Sequence, residues 1–457
     1  MNKLEVPIEL VRKYNMPGPR YTSYPPATQF TRELSFDLVG DCIRKNNEKA
    51  RDLSLYFHLP FCESLCWFCG CTSVITTDRG KSARYIEALG REISLMKPMF
   101  NPARKVVQLH LGGGSPTFLP PDQLRRLGEL IHATFTMAPG AEAGVEIDPR
   151  GLTREHLAVL REIGFNRASV GVQDNNPVVQ KAVHRVQPRE LTERVIGWIR
   201  EAGFESLNVD LIYGLPHQTV VSFGETLDEI LELKPDRFAV FSYAHVPWMK
   251  PAQKILKPEI LPTAETKLEL LKMTIEKLTS AGYVYIGMDH FALPTDELAL
   301  AQKARTLQRN FQGYSTRAGA DIYAFGMSSI SAADRAYWQN TKQLDAYQAM
   351  VESGNPAYER GFILNSDDLI RREVIMQIMC NLYLDYSALS RKLGVSVPDY
   401  FEREIASLDD LESDGLVQRE SNGLKVTKVG RLFVRVIAMR FDAYLPKARE
   451  RRHAMTI

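Results

Sequence analysis

Cysteine is scarce in this chain, with six residues in 457. Long apolar runs are missing as well. No stretch approaches the roughly 20 apolar residues that cross a membrane. The opening Met1-Asn2-Lys3-Leu4-Glu5-Val6-Pro7 lacks the apolar core of a signal peptide. Neither sign of charge is in excess: 57 Lys and Arg stand against 55 Asp and Glu, a formal net charge of +2. That balance leaves no electrostatic footprint for nucleic acid or an anionic membrane. No internal repeat of fixed period and no low-complexity tract occurs. These absences argue against a disulfide scaffold, a membrane span and a nucleic-acid binder, and they point to a cytoplasmic protein whose thiols stay reduced. With 44% hydrophobic and 25% charged residues, the chain reads as an ordinary globular enzyme. Its length suits a large domain with appendages, or two to three domains.

The few cysteines are not scattered. Four of the six fall between positions 62 and 71, in Pro60-Phe61-Cys62-Glu63-Ser64-Leu65-Cys66-Trp67-Phe68-Cys69-Gly70-Cys71. Thiolates are soft ligands that suit iron–sulfur clusters and zinc. Three cysteines spaced C-x3-C-x2-C can hold three irons of a cubane cluster and leave the fourth iron open to a small molecule. Two plainer readings compete. Positions 62, 66 and 69 share one helical face and could be buried apolar residues. They could also bind zinc with Cys71 as fourth ligand, although zinc sites usually pair two separated knuckles and no second knuckle exists here. Cys42 and Cys380 read as small buried hydrophobes.

Around the cysteines the pattern is regular. Strand candidates are Leu53–Leu59, Val106–Leu111, Gly144–Ile147, Ala168–Val172, Leu207–Ile212 and Phe238–Ser242. Helix candidates lie between them near 81–97, 121–134, 153–163, 189–202 and 219–233, and a further helix at 263–281 precedes the apolar run Tyr283–Met288. Such alternation predicts βα units and an α/β fold with a parallel sheet, either doubly wound or a partial barrel. In both, functional residues gather at the C-terminal strand ends. The cysteine run, Gly112-Gly113-Gly114-Ser115, Glu146-Ile147-Asp148-Pro149-Arg150, Gly171-Val172-Gln173-Asp174, Asp210-Leu211-Ile212-Tyr213-Gly214 and Tyr243-Ala244-His245 all fall there. A triple glycine at a strand end can let a ligand approach the backbone. It lacks the spacing of a dinucleotide fingerprint or a phosphate loop.

Ahead of the strands, Pro17-Gly18-Pro19-Arg20-Tyr21-Thr22-Ser23-Tyr24-Pro25-Pro26 is too proline-rich for helix or central strand and reads as an extended arm. After about residue 340 the pattern becomes mostly helical. A hairpin around Ser421-Asn422-Gly423 between helical runs gives a winged-helix-like unit. Its mixed charge favours a packing or lid role over DNA reading. The expected division is an N-terminal arm and helix at 1–50, a catalytic domain at 51–340 and a mostly helical domain at 341–457.

Taken together, these stretches resemble the radical S-adenosylmethionine superfamily and, within it, the oxygen-independent coproporphyrinogen III oxidase family. The resemblance rests on GPRYTSYP at 18–25, SLYFHLPFC at 54–62, CWFCGC at 66–71, LGGGSPT at 111–117, EIDPR at 146–150, GVQ at 171–173, DLIYGLP at 210–216, YAH at 243–245, GMDHFA at 287–292 and RNFQGY at 309–314. It implies a partial six-unit radical-S-adenosylmethionine barrel and an oxidoreductase of porphyrin and haem biosynthesis. It implies conversion of two propionates of coproporphyrinogen III to vinyl groups, giving protoporphyrinogen IX through a 5′-deoxyadenosyl radical generated at a [4Fe–4S] cluster. It further implies Cys62, Cys66 and Cys69 as cluster ligands and two S-adenosylmethionine molecules. Tyr56, Gly113, Glu146 and Ile330 match positions around the first, and Phe68, Gly114, Ser115, Gln173, Arg185, Asp210 and Ala244 around the second. The implied partners are the substrate and an electron donor such as flavodoxin or ferredoxin, and the expected state is a monomer. Ser115 departs from a common threonine, Pro26 interrupts the usual continuation of the arm motif, and Cys71 exceeds the three ligands needed. Arg20 and Tyr21 are candidates to approach a substrate with four carboxylates. A haem-trafficking relative, which binds haem without oxidase activity, is the alternative; the GPRYTSYP arm and Arg309-Asn310-Phe311 argue against it.

Overall fold

The structure is a computed structural model and describes residues 6–49 and 51–445. Its centre is a 12-stranded sheet. Six strands follow the expected order: β1 (Leu53–Leu59), β2 (Lys105–Gly113), β3 (Thr136–Ile147), β4 (Arg167–Gln173), β5 (Ser206–Tyr213) and β6 (Arg237–Ser242). Each pairs in parallel with the next, with Phe57 beside Leu111 and Val209 beside Phe238. The helices between them are α1 (Arg79–Met96), α2 (Pro121–His132), α3 (Arg154–Glu162), α4 (Arg189–Glu201) and α5 (Val220–Glu232), and α6 (Ala264–Ser280) follows β6. Local sequence sets where several begin. Asp78 accepts the Gly80 N–H at the start of α1, and Thr153 and Thr219 close capping boxes with His156 and Ser222.

Two features extend the expected six units. At one edge, β7 (Val284–Gly287) and β8 (His290–Ala292) add antiparallel strands beyond β6. At the other, β9 (Asp321–Phe325) joins β1 as a seventh parallel strand, and β10 (Ile330–Ala332), β11 (Ala336–Asn340) and β12 (Tyr358–Ile363) turn back in antiparallel succession. The sheet therefore continues to Ile363, and the division expected at residue 340 cuts it between β11 and β12.

Strand alternation decides what each face meets. On β5, Leu207, Val209 and Leu211 are buried in the core between sheet and helices, while Ser206, Asn208 and Asp210 turn to the inside of the curve. A second apolar core joins the two ends of the chain. Val11, Tyr14, Tyr21 and Tyr24 of the arm pack with Val374, Ile378, Leu424 and Phe433 of the C-terminal region. That region is led by the helix Ser366–Asn381, with a three-stranded sheet of Tyr383–Asp385, Val417–Glu420 and Gly423–Val426 and a helix at Val434–Met439. The hairpin turns at Ser421-Asn422, as its sequence predicts. Among the described residues, no helix is long and apolar enough to cross a membrane.

Candidate functional site

Inside the curve of the sheet lies a cavity of about 470 Å³. Its walls are the inward rows of successive strands. Gln108 and His110 come from β2, Glu142, Gly144 and Glu146 from β3, Arg167, Ser169, Gly171 and Gln173 from β4, Asn208 and Asp210 from β5, and Arg237, Ala239 and Phe241 from β6. Cys62, Cys66, Cys69, Cys71 and Phe68 line it at the C-terminal strand ends.

All six cysteines are free thiols. Arg150 Nη2 lies 3.4 Å and Arg185 Nη1 3.6 Å from the Cys66 sulfur, and the Cys71 N–H donates to Cys69 Sγ at 3.4 Å. N–H groups aimed at sulfur favour the thiolate and a bound cluster alike. Burial, with Cys69 beside it, pushes the Cys62 thiol up to about 12. Cys69 goes the other way, to about 6, chiefly because the Cys71 thiol hydrogen-bonds to it. Among the described residues, no group of three or more His, Cys, Asp and Glu is placed to hold a single metal ion. Ligands to three separate irons do not need to converge on one point, so three soft donors, two of them with N–H support, fit the open-cluster arrangement.

The anionic groups are arranged in a ladder across the strand ends. Glu146 accepts from Gly113 N at 3.1 Å and contacts His110 Nε2 at 3.3 Å. Burial disfavours its charge, but His110 and the Gly113 amide outweigh that and hold its carboxyl below the usual range. Asp148 is clasped by Arg150 at 2.7 Å and Arg185 at 2.9 Å, which keep it ionised against its burial. Asp210 accepts from Ser169 Oγ at 2.9 Å and Asn208 Nδ2 at 2.7 Å. Burial dominates there and, with Glu146 adding repulsion, pushes it up to about 7.

The glycine run has a role that its sequence does not reveal. A Cβ on Gly112 would meet the Glu146 carboxylate at 2.8 Å, one on Gly113 the His58 ring at 2.6 Å, and one on Gly114 the Pro60 carbonyl at 2.6 Å. The Gly113 amide serves Glu146, Gly114 N donates to Leu59 O at 2.8 Å and Ser115 N donates to Phe61 O at 2.8 Å. The run packs β2 against the start of the cysteine loop with these amides engaged, while Gly113 and Gly114 also line the cavity.

Of the residues expected at the site, Cys62, Cys66, Cys69, Phe68, Gly113, Gly114, Glu146, Gln173, Arg185 and Asp210 line one cavity. Four do not. Tyr56 lies on the inner face of β1, hydrogen-bonded to His58 at 3.1 Å and stacked on the cavity-lining His110. Ser115 is buried against Thr117, and Ala244 is exposed beyond β6. Ile330 packs at the start of β10 against the cluster of Phe30, Tyr337 and Leu364. The arm residues are also engaged elsewhere: Arg20 pairs with Asp289, Tyr21 Oη donates to Asp442 at 2.9 Å, and Arg435 holds the carbonyls of Gly18 and Pro19.

Sequence reasoning missed His110, Arg167 and Arg237, although each occupies an alternate position on an otherwise apolar strand. It also missed the far wall, where His290, Gln312 and Tyr314 line the cavity. Among the described residues, neither polar atom of the buried Gln312 amide has a partner, and His290 Nδ1 has none. Burial lowers the His290 pKa to about 3, so the ring is neutral.

Comparison with known proteins follows the same lines. Residues 56–230 match the radical SAM superfamily and residues 364–433 the HemN C-terminal domain. The oxygen-independent coproporphyrinogen III oxidase of Synechocystis sp. is 46% identical over 446 residues, covering 97% of this chain and 96% of that protein. The protein of the same name from Escherichia coli K12 is 44% identical over 458 residues, covering 100% of both. A solved structure described as coproporphyrinogen III oxidase (HemN) from Escherichia coli, a radical SAM enzyme, superposes with a TM-score of 0.92 at 43% identity. The match covers 97% of this chain and 100% of that one.

Proposed function

This chain belongs to the oxygen-independent coproporphyrinogen III oxidase family of radical SAM enzymes, and we propose that it converts two propionates of coproporphyrinogen III to vinyl groups, yielding protoporphyrinogen IX. The observation that carries the proposal is the set of three thiols at one end of a polar cavity, with Arg150 and Arg185 directed at the Cys66 sulfur. Cys62, Cys66 and Cys69 would hold a [4Fe–4S] cluster. When bound, the cluster would supply one electron to S-adenosylmethionine, releasing the 5′-deoxyadenosyl radical that removes a propionate hydrogen, after which carbon dioxide and one further electron, passed to an acceptor, leave the vinyl group.

The chain's own groups bind and orient. Glu146 stays anionic under its two donors and can accept from an ammonium or a ribose hydroxyl. Asp210 can do the same once deprotonated. The lining groups fall into two sets, Gly113 and Glu146 on β2 and β3 and Gln173 and Asp210 on β4 and β5, which supports two S-adenosylmethionine molecules. Arg185 is committed to Asp148 and the Gly171 carbonyl. Only its buried Nε–H is unpartnered among the described residues, so its part is to steady Asp148 and Cys66 more than to clamp a ligand carboxylate. Tyr56 supports His110 from the neighbouring strand, and Ser115, Ala244 and Ile330 lie outside the cavity lining. Asp289 holds Arg20, which supports a strap role for the arm over direct substrate contact. Free thiols and a cluster site suit a reducing cytoplasm.

The test is anaerobic. Reconstituted protein is mixed with dithionite, S-adenosylmethionine and coproporphyrinogen III, and the products are separated. The expected products are 5′-deoxyadenosine and protoporphyrinogen IX, and their joint absence refutes the proposal. The relatives named above carry the oxidase name, so the haem-trafficking reading is not favoured.

A further inference from the structure

Two exposed segments are fastened to the back of the cysteine loop. One is the turn at 177–188 after β4, and the other is the loop at 244–262 between β6 and α6. Trp67 N donates to Val183 O at 3.0 Å, and the His184 ring stacks on Trp67 with centroids 5.2 Å apart. Lys250 Nζ donates to Cys71 O and Gln253 Nε2 to Phe68 O, each at 2.8 Å. Beneath them Val179, Val183 and Leu256 share one apolar cluster with Trp67 and Phe68. The two segments therefore touch the peptide groups immediately beside Cys66 and Cys69.

Their outer faces differ from the rest of the surface. Val178, Val186, Met249 and Ile255 are 61%, 62%, 63% and 50% exposed. Lys181, Lys254 and Lys257 stand exposed among them. Arg185 is buried against Asp148, and apart from it the two segments carry four lysines against the single acid Glu259, in a chain whose totals are 57 and 55. Single exposed apolar residues are ordinary, but several together within one basic rim mark an interaction face.

We propose that this face docks a small acidic one-electron carrier protein that reduces the cofactor held by Cys62, Cys66 and Cys69. The inference rests on the function proposed above, because only a site that must be reduced calls for a carrier. Electron transfer weakens steeply with distance, so the carrier has to reach the peptide shell around the thiols. Gln253, one residue from Lys254 and two from Ile255, bonds to the carbonyl next to Cys69. The lysines steer an acidic partner and orient it, and the apolar residues exclude water at the contact.

The test compares reconstituted wild-type protein with the triple variant Lys181→Glu, Lys254→Glu, Lys257→Glu and, separately, with Ile255→Asp. Turnover is driven either by dithionite or by reduced flavodoxin, and binding of oxidised flavodoxin is measured by calorimetry at low salt. The expected result is unchanged dithionite turnover, flavodoxin affinity and flavodoxin-driven rate reduced on the order of tenfold or more, and a wild-type flavodoxin-driven rate that falls with added salt. Equal affinity and equal flavodoxin-driven rates in all three proteins overturn the docking face, as does an equal loss of dithionite turnover in the variants. Absence of product from wild-type protein with dithionite instead refutes the function, and the binding data then still decide the face.

Discussion

Replacing Gly114 by alanine tests whether the glycine run is a packing device. Its Cβ would sit 2.6 Å from both the carbonyl carbon and oxygen of Pro60 and 2.7 Å from the Phe61 oxygen. These are backbone atoms at the end of β1, directly before Cys62, and they cannot swing aside as a side chain does. Relief requires β1 and β2 to part where Gly114 N donates to Leu59 O and Ser115 N to Phe61 O, both at 2.8 Å. Overpacking of this kind costs about 1–3 kcal/mol and each lost hydrogen bond about 1 kcal/mol, so the variant should lose about 3–5 kcal/mol. Gly112→Ala is the control. The three atoms nearest its Cβ all belong to the Glu146 carboxylate, the far end of a flexible side chain, so the stability loss should stay below about 1 kcal/mol. That carboxylate would, however, be pushed off the Gly113 amide. Denaturant unfolding of the metal-free proteins, with hydrogen exchange read at β1 and β2, and S-adenosylmethionine binding to the reconstituted ones separate the two effects. Gly114→Ala should lose protection in β1 and β2 and hold iron poorly. Gly112→Ala should keep its fold and lose ligand affinity. A Gly114→Ala protein as stable as wild type, or a Gly112→Ala protein as unstable as Gly114→Ala, would refute the reasoning.

Asp210 predicts a pH signature. Its folded value of about 7 lies above the ordinary 3.8, so the unfolded chain ionises first and stability falls as pH rises between about 4 and 7. Asp210→Asn removes that slope; the metal-free variant should melt with wild type near pH 4 and above it at pH 8, and parallel melting curves across this range would count against the assignment. Cys71→Ser should retain full iron content and the visible absorption of the reconstituted protein, because Cys71 supports Cys69 through its thiol and amide without being required as a ligand. The same change at Cys62, Cys66 or Cys69 should lose both.

The parallel strands were legible because each carries an apolar run followed by a helical pattern, most of the helices opening on a capping residue, and these are local properties. The C-terminal strand ends could likewise be recognised as the working edge. Half of the cavity wall was also within reach. Glu142, Gly144 and Glu146 on β3, or Ser206, Asn208 and Asp210 on β5, are alternate residues facing one side, and period-two reading of each strand would have added His110, Arg167 and Arg237. What escaped depends on contacts between distant positions. Ile330 and Ala244 lie near strand ends in sequence, but the antiparallel return of β10 and the exposed loop after β6 carry them off the cavity. Arg435 holds the arm across more than 400 residues of chain, and no local pattern foretells that pairing. The glycine run is ambiguous for a related reason. A glycine needed because Pro60 is close looks the same in sequence as one needed because a ligand is close.

The charge around the thiols explains why Asp148 belongs to the site although it is not expected to touch a ligand. Arg150 and Arg185 both bind it, and both also direct an N–H toward the Cys66 sulfur. Two guanidiniums free beside the cysteines would repel one another and could turn to other acceptors. One carboxylate between them fixes their planes and leaves a single net positive charge next to the thiols. A net cation of that kind complements the negative charge of a thiolate-bound metal centre. Burial works against Cys62 in the opposite direction, so the site depends on supplied positive charge and N–H donors rather than on solvent. The residues after β3 and β4 therefore do more than line the cavity: they carry the electrostatic support that three cysteines on a short loop would need to act as ligands.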